Sequence, residues 1–247
     1  MSARWAIVLA AGRGSRLGSL TEELPKCLLA VSGRPLLEWH IDALRGGGVD
    51  EIGVVRGYRA GDVRTGGVTF FDNARWSESN MVRSLMCAAE WLRREPCIVS
   101  YADIVYSRAA IETLSAAAGD IVITYDPNWL DLWGRRFDDP LSDAETFRAA
   151  GDGRLLEIGG KPKTVEEVKG QYMGLLKFTP AGWTIIERHL LTKTPLEIDR
   201  LDMTGLLRQL LAGGIDIRTA PIADAWFEID SARDLAVCEA HLAQRRA

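Results

Sequence analysis

The sequence predicts a single α/β domain, a Rossmann-like three-layer fold around a mostly parallel mixed central sheet. Three observations predict it. The 247 residues are 47% hydrophobic and 26% charged, the balance of a globular chain with one large core. A short apolar run, residues 5–10 (WAIVLA), leads into a glycine-rich loop, as a buried parallel strand does. Beyond it, apolar runs of strand length alternate with stretches of helical periodicity. That βαβ rhythm puts helices on both faces of a sheet and ligands beyond the carboxyl ends of its strands.

In order along the chain, an extended stretch after Pro25-Lys26 runs to Val31 and turns at Ser32-Gly33. Arg34-Pro35 then open a helix whose apolar positions Leu36, Leu37, Ile41 and Leu44 recur at helical spacing until Gly46 to Gly48 stop it. Strands are predicted at Glu51 to Val55, Val68 to Phe71 and Cys97 to Tyr101, with an amphipathic helix from Asn80 to Arg94. Residues 126–160 lose the pattern and read as a Trp-, Arg- and Asp-rich insertion within the single 1–247 domain. A strand at Tyr172 to Phe178, helices near Pro180 to Leu190 and Leu201 to Leu211, a strand at Ile215 to Thr219, the WFEID segment and a closing helix complete the chain. Neither an internal repeat nor a low-complexity tract interrupts it.

Net charge is -4 with both signs interspersed, which argues against nucleic acid and for small-molecule partners. Cys27, Cys87, Cys97 and Cys238 form no C-x-x-C pair, as expected of reduced thiols in the cytoplasm. The run at Trp5 to Ala11 is too short to span a membrane and lacks a cleavage site, so neither anchor nor export signal is expected.

The loop after the first strand reads LAAGRGSRLG, residues 9–18. Gly12 and Gly14 let backbone amides approach a phosphate, and Arg13 and Arg16 bring positive charge. No Gly-Lys-Ser/Thr follows at P-loop spacing, and the third glycine of the dinucleotide fingerprint is missing, which sets aside a nicotinamide-dependent dehydrogenase. Alone, the loop also reads as a plain glycine-rich turn. Asp103 stands just past a strand, and Asp230 offers a second carboxylate; two such groups with phosphate oxygens are a usual way to hold magnesium. Each also reads as a helix cap. Glu228 lies on the same strand face as Asp230 and is a further candidate ligand. Lys161, made extended by Pro162, is either a directed cation or a solvated turn lysine.

Continued through Leu24-Pro25-Lys26-Cys27-Leu28, the loop resembles the signature of the nucleotidyltransferase (sugar-phosphate pyrophosphorylase) superfamily, matched by Gly12, Gly14, Arg16, Pro25 and Lys26. The resemblance implies a GT-A-like nucleotidyltransferase fold in which the loop and Arg16 hold a nucleoside triphosphate and Lys26 meets the reacting phosphates. It maps the family's Mg2+ carboxylates onto Asp103 and Asp230, its acceptor-phosphate lysine onto Lys161, and its substrate-facing strand onto GQYMG, residues 170–174, where Gly174 leaves room beside the ligand.

The segment Asn73 to Leu85 departs from the sugar-nucleotide branch and, with WFEIDS, resembles the phosphocholine and phosphonate cytidylyltransferases; the likeness runs from Ile7 to about Leu235. CTP is therefore the expected nucleotide, with UTP second. Asn80 and Ser84, one helical turn apart, face the pyrimidine or the acceptor, although Asn80 also reads as an N-terminal cap. Leu9, Ala10, Ala11 and Gly12 offer backbone groups to the base, and Tyr101 joins them. For the acceptor, Trp129 and Trp133 enclose a small head group, Arg135 or Arg136 with Lys161 neutralises a phosphonate, and Tyr172 extends the aromatic wall. The same tryptophans also read as the anchor of a surface lobe or a homodimer contact.

The expected reaction is Mg2+-dependent transfer of CMP from CTP to a small phosphonate, 2-hydroxyethyl- or 2-aminoethylphosphonate, or to phosphocholine, with Arg16, Lys26 and Lys161 as the catalytic cations. Two readings stand beside it: a sugar-1-phosphate or inositol-phosphate nucleotidyltransferase using UTP or CTP, and a non-catalytic regulatory member of the fold. The second would tolerate loss of Lys26 or the carboxylates, all of which are kept here.

Overall fold

Trp5–Ala10 forms β1, and its alternation divides the interior in two: Ala6, Val8 and Ala10 join one apolar cluster, Ile7 and Leu9 the other. A strand buried on both faces belongs to a sheet covered on both sides. The computed structural model describes residues 3–244. After the first loop come the hairpin strands β2 (Ala30–Val31) and β3 (Arg34–Pro35), then α1 (Leu36–Gly46), β4 (Glu51–Arg56) and β5 (Thr69–Asp72).

The single helix expected from Asn80 to Arg94 is two, α2 (Met81–Met86) and α3 (Ala89–Arg94). Between them the amides of Cys87 and Ala88 bond three residues back, to Ser84 and Leu85 at 3.1 and 3.0 Å. Such tightening ends a helix without glycine or proline, so the periodicity ran on across the break. β6 (Cys97–Tyr101) and β7 (Ile104–Val105) follow. Next are α4 (Arg108–Ala116), capped by Ser107, and β8 (Ile121–Asp126), neither of which the sequence reading assigned.

Residues 126–160 hold α5 (Trp129–Arg136) and the hairpin β9 (Thr146–Ala149) and β10 (Leu155–Gly160). Trp129 and Trp133 sit in one core cluster, and Phe147, Leu155 and Ile158 in the other. The tryptophans are therefore buried anchors of this segment, with no ring face displayed to a second copy.

The chain continues with β11 (Gln171–Phe178), α6 (Pro180–Leu190), α7 (Pro195–Arg200), α8 (Met203–Ala212), β12 (Arg218–Pro221), β13 (Phe227–Glu228) and α9 (Ala232–Gln244). The short α7, started by a Thr194/Glu197 capping box, lies where the sequence suggested only a connection. The main sheet runs β12-β8-β11-β6-β1-β4-β5; β11 is antiparallel to both neighbours and every other pairing is parallel. This is the mixed, mostly parallel α/β sheet that the sequence predicts. Among the described residues, no helix is long and apolar enough to cross a membrane.

Candidate active site

Beyond the carboxyl ends of β1 and β6 lies a cleft of about 280 Å³. It gathers Leu9, Ala10, Ala11, Gly12, Gly14, Arg16, Lys26, Asn80, Ser84, Tyr101, Asp103 and Asp230, which are the residues the sequence assigns to nucleotide and metal. Gly14 has a φ of 76° and lies against the Lys26 stem; a Cβ there would come within 2.8 Å of Lys26 Cδ. Glycine is thus required twice, for its backbone and for the lysine's path. Thr21 Oγ1 donates to Gly14 O at 2.7 Å and fixes the turn. Gly12 lines the cleft with open space where a Cβ would stand.

The two carboxylates come from distant parts of the chain and are joined by a two-strand ladder, β7 with β13, in which Ile104 faces Glu228. Ile229 N donates to Asp103 O at 2.8 Å and continues the pairing. Lys26 Nζ bridges them, 2.8 Å from Asp103 Oδ2 and 2.5 Å from Asp230 Oδ1, and Arg16 Nη2 lies 2.9 Å from Asp230 Oδ2. Burial works against the Lys26 charge, but the carboxylates outweigh it and hold the ammonium above its ordinary value. Asp103 is pushed up by burial and pulled further down by Lys26, so it stays ionised. Behind it, His40 is enclosed between Tyr106 and Ser100, and burial lowers its imidazole to about 4, which keeps it neutral.

The alternative of Asp230 as a helix cap does not hold. Ser231 Oγ accepts from Asp234 N at 3.2 Å, and Asp234 Oδ2 accepts from Asp230 N and Ser231 N at 3.0 and 2.9 Å. Capping thus falls to Ser231 and Asp234, leaving the Asp230 carboxylate to the cleft. Asn80 does cap α2, its Oδ1 accepting from Met81 N at 2.8 Å, while also lining the cleft. Ser84 Oγ is held by Asn73 Nδ2 at 3.0 Å. Asn73, Trp76 and Ser79 were not singled out from sequence, although Trp76 and Ser79 form part of the same wall. The polar turn between β5 and α2 was their only local signal.

A second cavity, about 160 Å³, shares Tyr101 with the first. Trp133 and Tyr172 line it as expected, joined by Trp226, Asp143, Glu145 and Glu228. The buried Trp133 indole N–H has no partner. Trp226 Nε1 donates to Asp126 Oδ2 at 2.9 Å, which fixes that ring. Burial, then the charges of Asp202 and Asp143, raise Glu145 above its ordinary value, and burial pushes Glu228 up to about 7 against the pull of Arg136.

The other expected acceptor residues are elsewhere. Trp129 is buried with its Nε1 donating to Val168 O at 3.1 Å, and it lines neither cavity. Arg136 is 1% exposed and neutralised by Asp234 at 2.9 Å and Glu228 at 2.8 Å, so it has no charge to offer a ligand. Arg135 is exposed and pairs with Asp131 along α5. Lys161 is exposed just after β10 and lines neither cavity. Gly174, by contrast, does line the second cavity, and a Cβ there would lie 2.5 Å from the Tyr101 ring, so the glycine makes room for that ring.

Residues 6–161 match the MobA-like NTP transferase domain family. The chain is 34% identical over 250 residues to a CTP:phosphoglutamine cytidylyltransferase of Campylobacter jejuni, covering 94% of this chain and 98% of that protein. It is 36% identical over 159 residues to a 2-aminoethylphosphonate cytidylyltransferase of Lancefieldella rimae, covering 62% and 60%. Among solved structures, the inositol-1-phosphate CTP transferase from T. maritima superposes with a TM-score of 0.78 at 22% identity, over 97% of this chain and 95% of that one, a likeness of fold. The chain belongs to the MobA-like NTP transferase family and is a nucleotidyltransferase.

Proposed function

We propose that this enzyme is a cytidylyltransferase that moves CMP from CTP onto the phosphate or phosphonate group of a small acceptor with an ammonium at its other end. The observation that carries the acceptor reading is the second cavity, where Glu145, Glu228 and Asp143 face Tyr101, Tyr172, Trp133 and Trp226. Carboxylates among aromatic faces attract a cation, and a neutral sugar hydroxyl gains nothing comparable there. With Arg136 neutralised, the sequence-based preference for a phosphonate over phosphocholine loses its arginine support, and the carboxylates of the cavity favour 2-aminoethylphosphonate over 2-hydroxyethylphosphonate. Glu145 and Asp143, outside the Arg136–Glu228 pair, favour a primary ammonium, which can donate hydrogen bonds, over the quaternary nitrogen of phosphocholine. The choice of CTP is supported by the relatives' activities and by a cleft that sets backbone amides, Arg16 and Lys26 around space for a triphosphate.

In the reaction, an anionic oxygen of the acceptor forms a bond to the α-phosphorus of CTP while the bond from that phosphorus to the β-phosphate oxygen breaks. The electron pair leaves on pyrophosphate, and no proton needs to be removed. Catalysis then consists of holding two anions in line and stabilising charge on the leaving group. Lys26 and Arg16 are the cations proposed for this role.

Asp103 and Asp230 suit magnesium. Asp103 Oδ1 is buried without a partner, an oxygen aimed at nothing in the chain. No cluster of three or more potential ligands exists among the described residues, which agrees with an ion that takes one or two carboxylates and completes its shell with phosphate oxygens and water. When bound, it would supply charge neutralisation at the triphosphate. Four free thiols fit a reducing cytoplasm.

The test is pyrophosphate release from CTP with 2-aminoethylphosphonate, phosphocholine, phosphorylated glutamine, 2-hydroxyethylphosphonate and glucose 1-phosphate. The ammonium acceptors should exceed 2-hydroxyethylphosphonate by roughly tenfold or more in kcat/KM, the worth of a charged hydrogen bond. A lead for glucose 1-phosphate or the hydroxyl compound would remove the acceptor reading.

A further inference from the structure

One wall of the nucleotide cleft is formed by Trp76, Ser79, Asn80 and Ser84, on a turn and the short helix α2 rather than on the sheet. What holds that wall is Asp199 on α7. Its side chain is 1% exposed, with Arg83 Nε 2.6 Å from Oδ1 and Arg75 Nη2 2.6 Å from Oδ2. Its main-chain carbonyl accepts from Asn80 N at 2.8 Å. Arg83 also donates to Pro195 O at 3.2 Å, binding α2 to the start of α7. One residue therefore grips the wall before Asn80, at Asn80 and after it. On the far side, Trp76 is backed by the Tyr58 ring at 5.1 Å and by Gly57, where a Cβ would lie 2.4 Å from Trp76 Cβ. A carboxylate buried this deeply is costly unless its charge is matched, and without it Arg83 would lose its ion pair and Arg75 would keep only the exposed Glu78 at 3.8 Å.

We propose that Asp199 is the positioning residue that sets nucleobase selectivity. The inference rests on reading the cleft as a CTP site. Cytosine and uracil differ in whether one edge donates or accepts a hydrogen bond, so telling them apart requires polar groups held within about 0.5 Å of a single arrangement. A wall free to shift would accept either base. Asp199 itself lines no part of the cleft and acts through Asn80, Arg75 and Arg83.

The test is titration calorimetry of CTP and UTP against the unmodified enzyme, Asp199→Asn, Arg75→Met and the double variant, with the KM for the acceptor measured in parallel. In Asp199→Asn, CTP should bind roughly tenfold more weakly and UTP much less so, closing the gap between them while the acceptor KM stays put. Arg75 is half exposed, so Arg75→Met does not threaten folding and should shift the ratio the same way. The double variant should lose no more than the larger single one, because the two act as a unit. If Asp199→Asn does not fold, Arg75→Met decides alone. An unchanged CTP-to-UTP ratio, or equal losses for both nucleotides, would overturn the proposal, since a merely structural role predicts that. Failure of the CTP reading would show separately, as equal CTP and UTP affinity in the unmodified enzyme.

Discussion

Lys26 Nζ lies 2.5 Å from Asp230 Oδ1, and the same ammonium reaches Asp103 Oδ2 at 2.8 Å, so one cation ties together the carboxylates that end β6 and β13. Because its charge is needed most as pyrophosphate departs, Lys26→Met should lower kcat by at least roughly a hundredfold and weaken CTP binding far less. Asp103→Asn and Asp230→Asn should cause losses of about the same size. Steady-state kinetics beside direct CTP binding separates the two effects; equal losses in binding and turnover would reduce Lys26 to a ground-state contact.

Gly14 and Gly33 both have positive φ, 76° and 80°, but only Gly14 touches Lys26. Each glycine-to-alanine change should cost ~1–2 kcal/mol of stability from the left-handed backbone. Gly14→Ala should also abolish most turnover by displacing the lysine, whereas Gly33→Ala should leave turnover intact. Thermal unfolding and kcat on both variants check this, and normal turnover in Gly14→Ala would contradict it.

The neighbours Arg135 and Arg136 should behave oppositely. Arg136→Met strands Asp234 and Glu228 without their shared cation and should cost about 3–5 kcal/mol, as broken buried ion pairs do. Arg135→Met removes a solvent-exposed charge and should stay within about 0.5 kcal/mol. Denaturant unfolding measures both. A raised acceptor KM in Arg135→Met would restore the ligand-gripping role the sequence suggested.

Glu145 is held above the ordinary carboxylate range by burial, then by Asp202 and Asp143. The folded chain favours its protonated form, so pH rising through the raised pKa costs stability while creating the ionised form an ammonium needs. The KM for 2-aminoethylphosphonate should therefore fall as pH rises above the unperturbed carboxylate value and through the raised one. 2-Hydroxyethylphosphonate carries the same phosphonate titration and should change less. Glu145→Gln should shrink the difference, leaving only what Glu228 and Asp143 contribute, and identical pH profiles for the two acceptors in the unmodified enzyme would exclude the ammonium contact.

The grouping of the first cleft's residues was legible because they are largely written consecutively. Residues 9–18 and Pro25-Lys26 place backbone amides, glycines and cations in one loop, and strand periodicity located Asp103. The acceptor side was not, because its character depends on partners far along the chain. Arg136 looked like a free cation, yet Glu228 and Asp234, 92 and 98 residues away, claim it. Trp226 replaces Trp129 at the cavity for the same reason: only packing decides which tryptophan faces inward. Asp199 sits on a six-residue helix too short to show a period.

In the proposed reaction CMP passes from CTP to an ammonium-bearing phosphonate or phosphate. Mass analysis of a reaction containing equal amounts of CTP, UTP, ATP and GTP with 2-aminoethylphosphonate and magnesium tests it most directly. A CMP adduct of the acceptor and one pyrophosphate for each CTP consumed are expected, with the other nucleotides left over. Consumption of UTP in preference to CTP, or pyrophosphate release without an acceptor adduct, would contradict it.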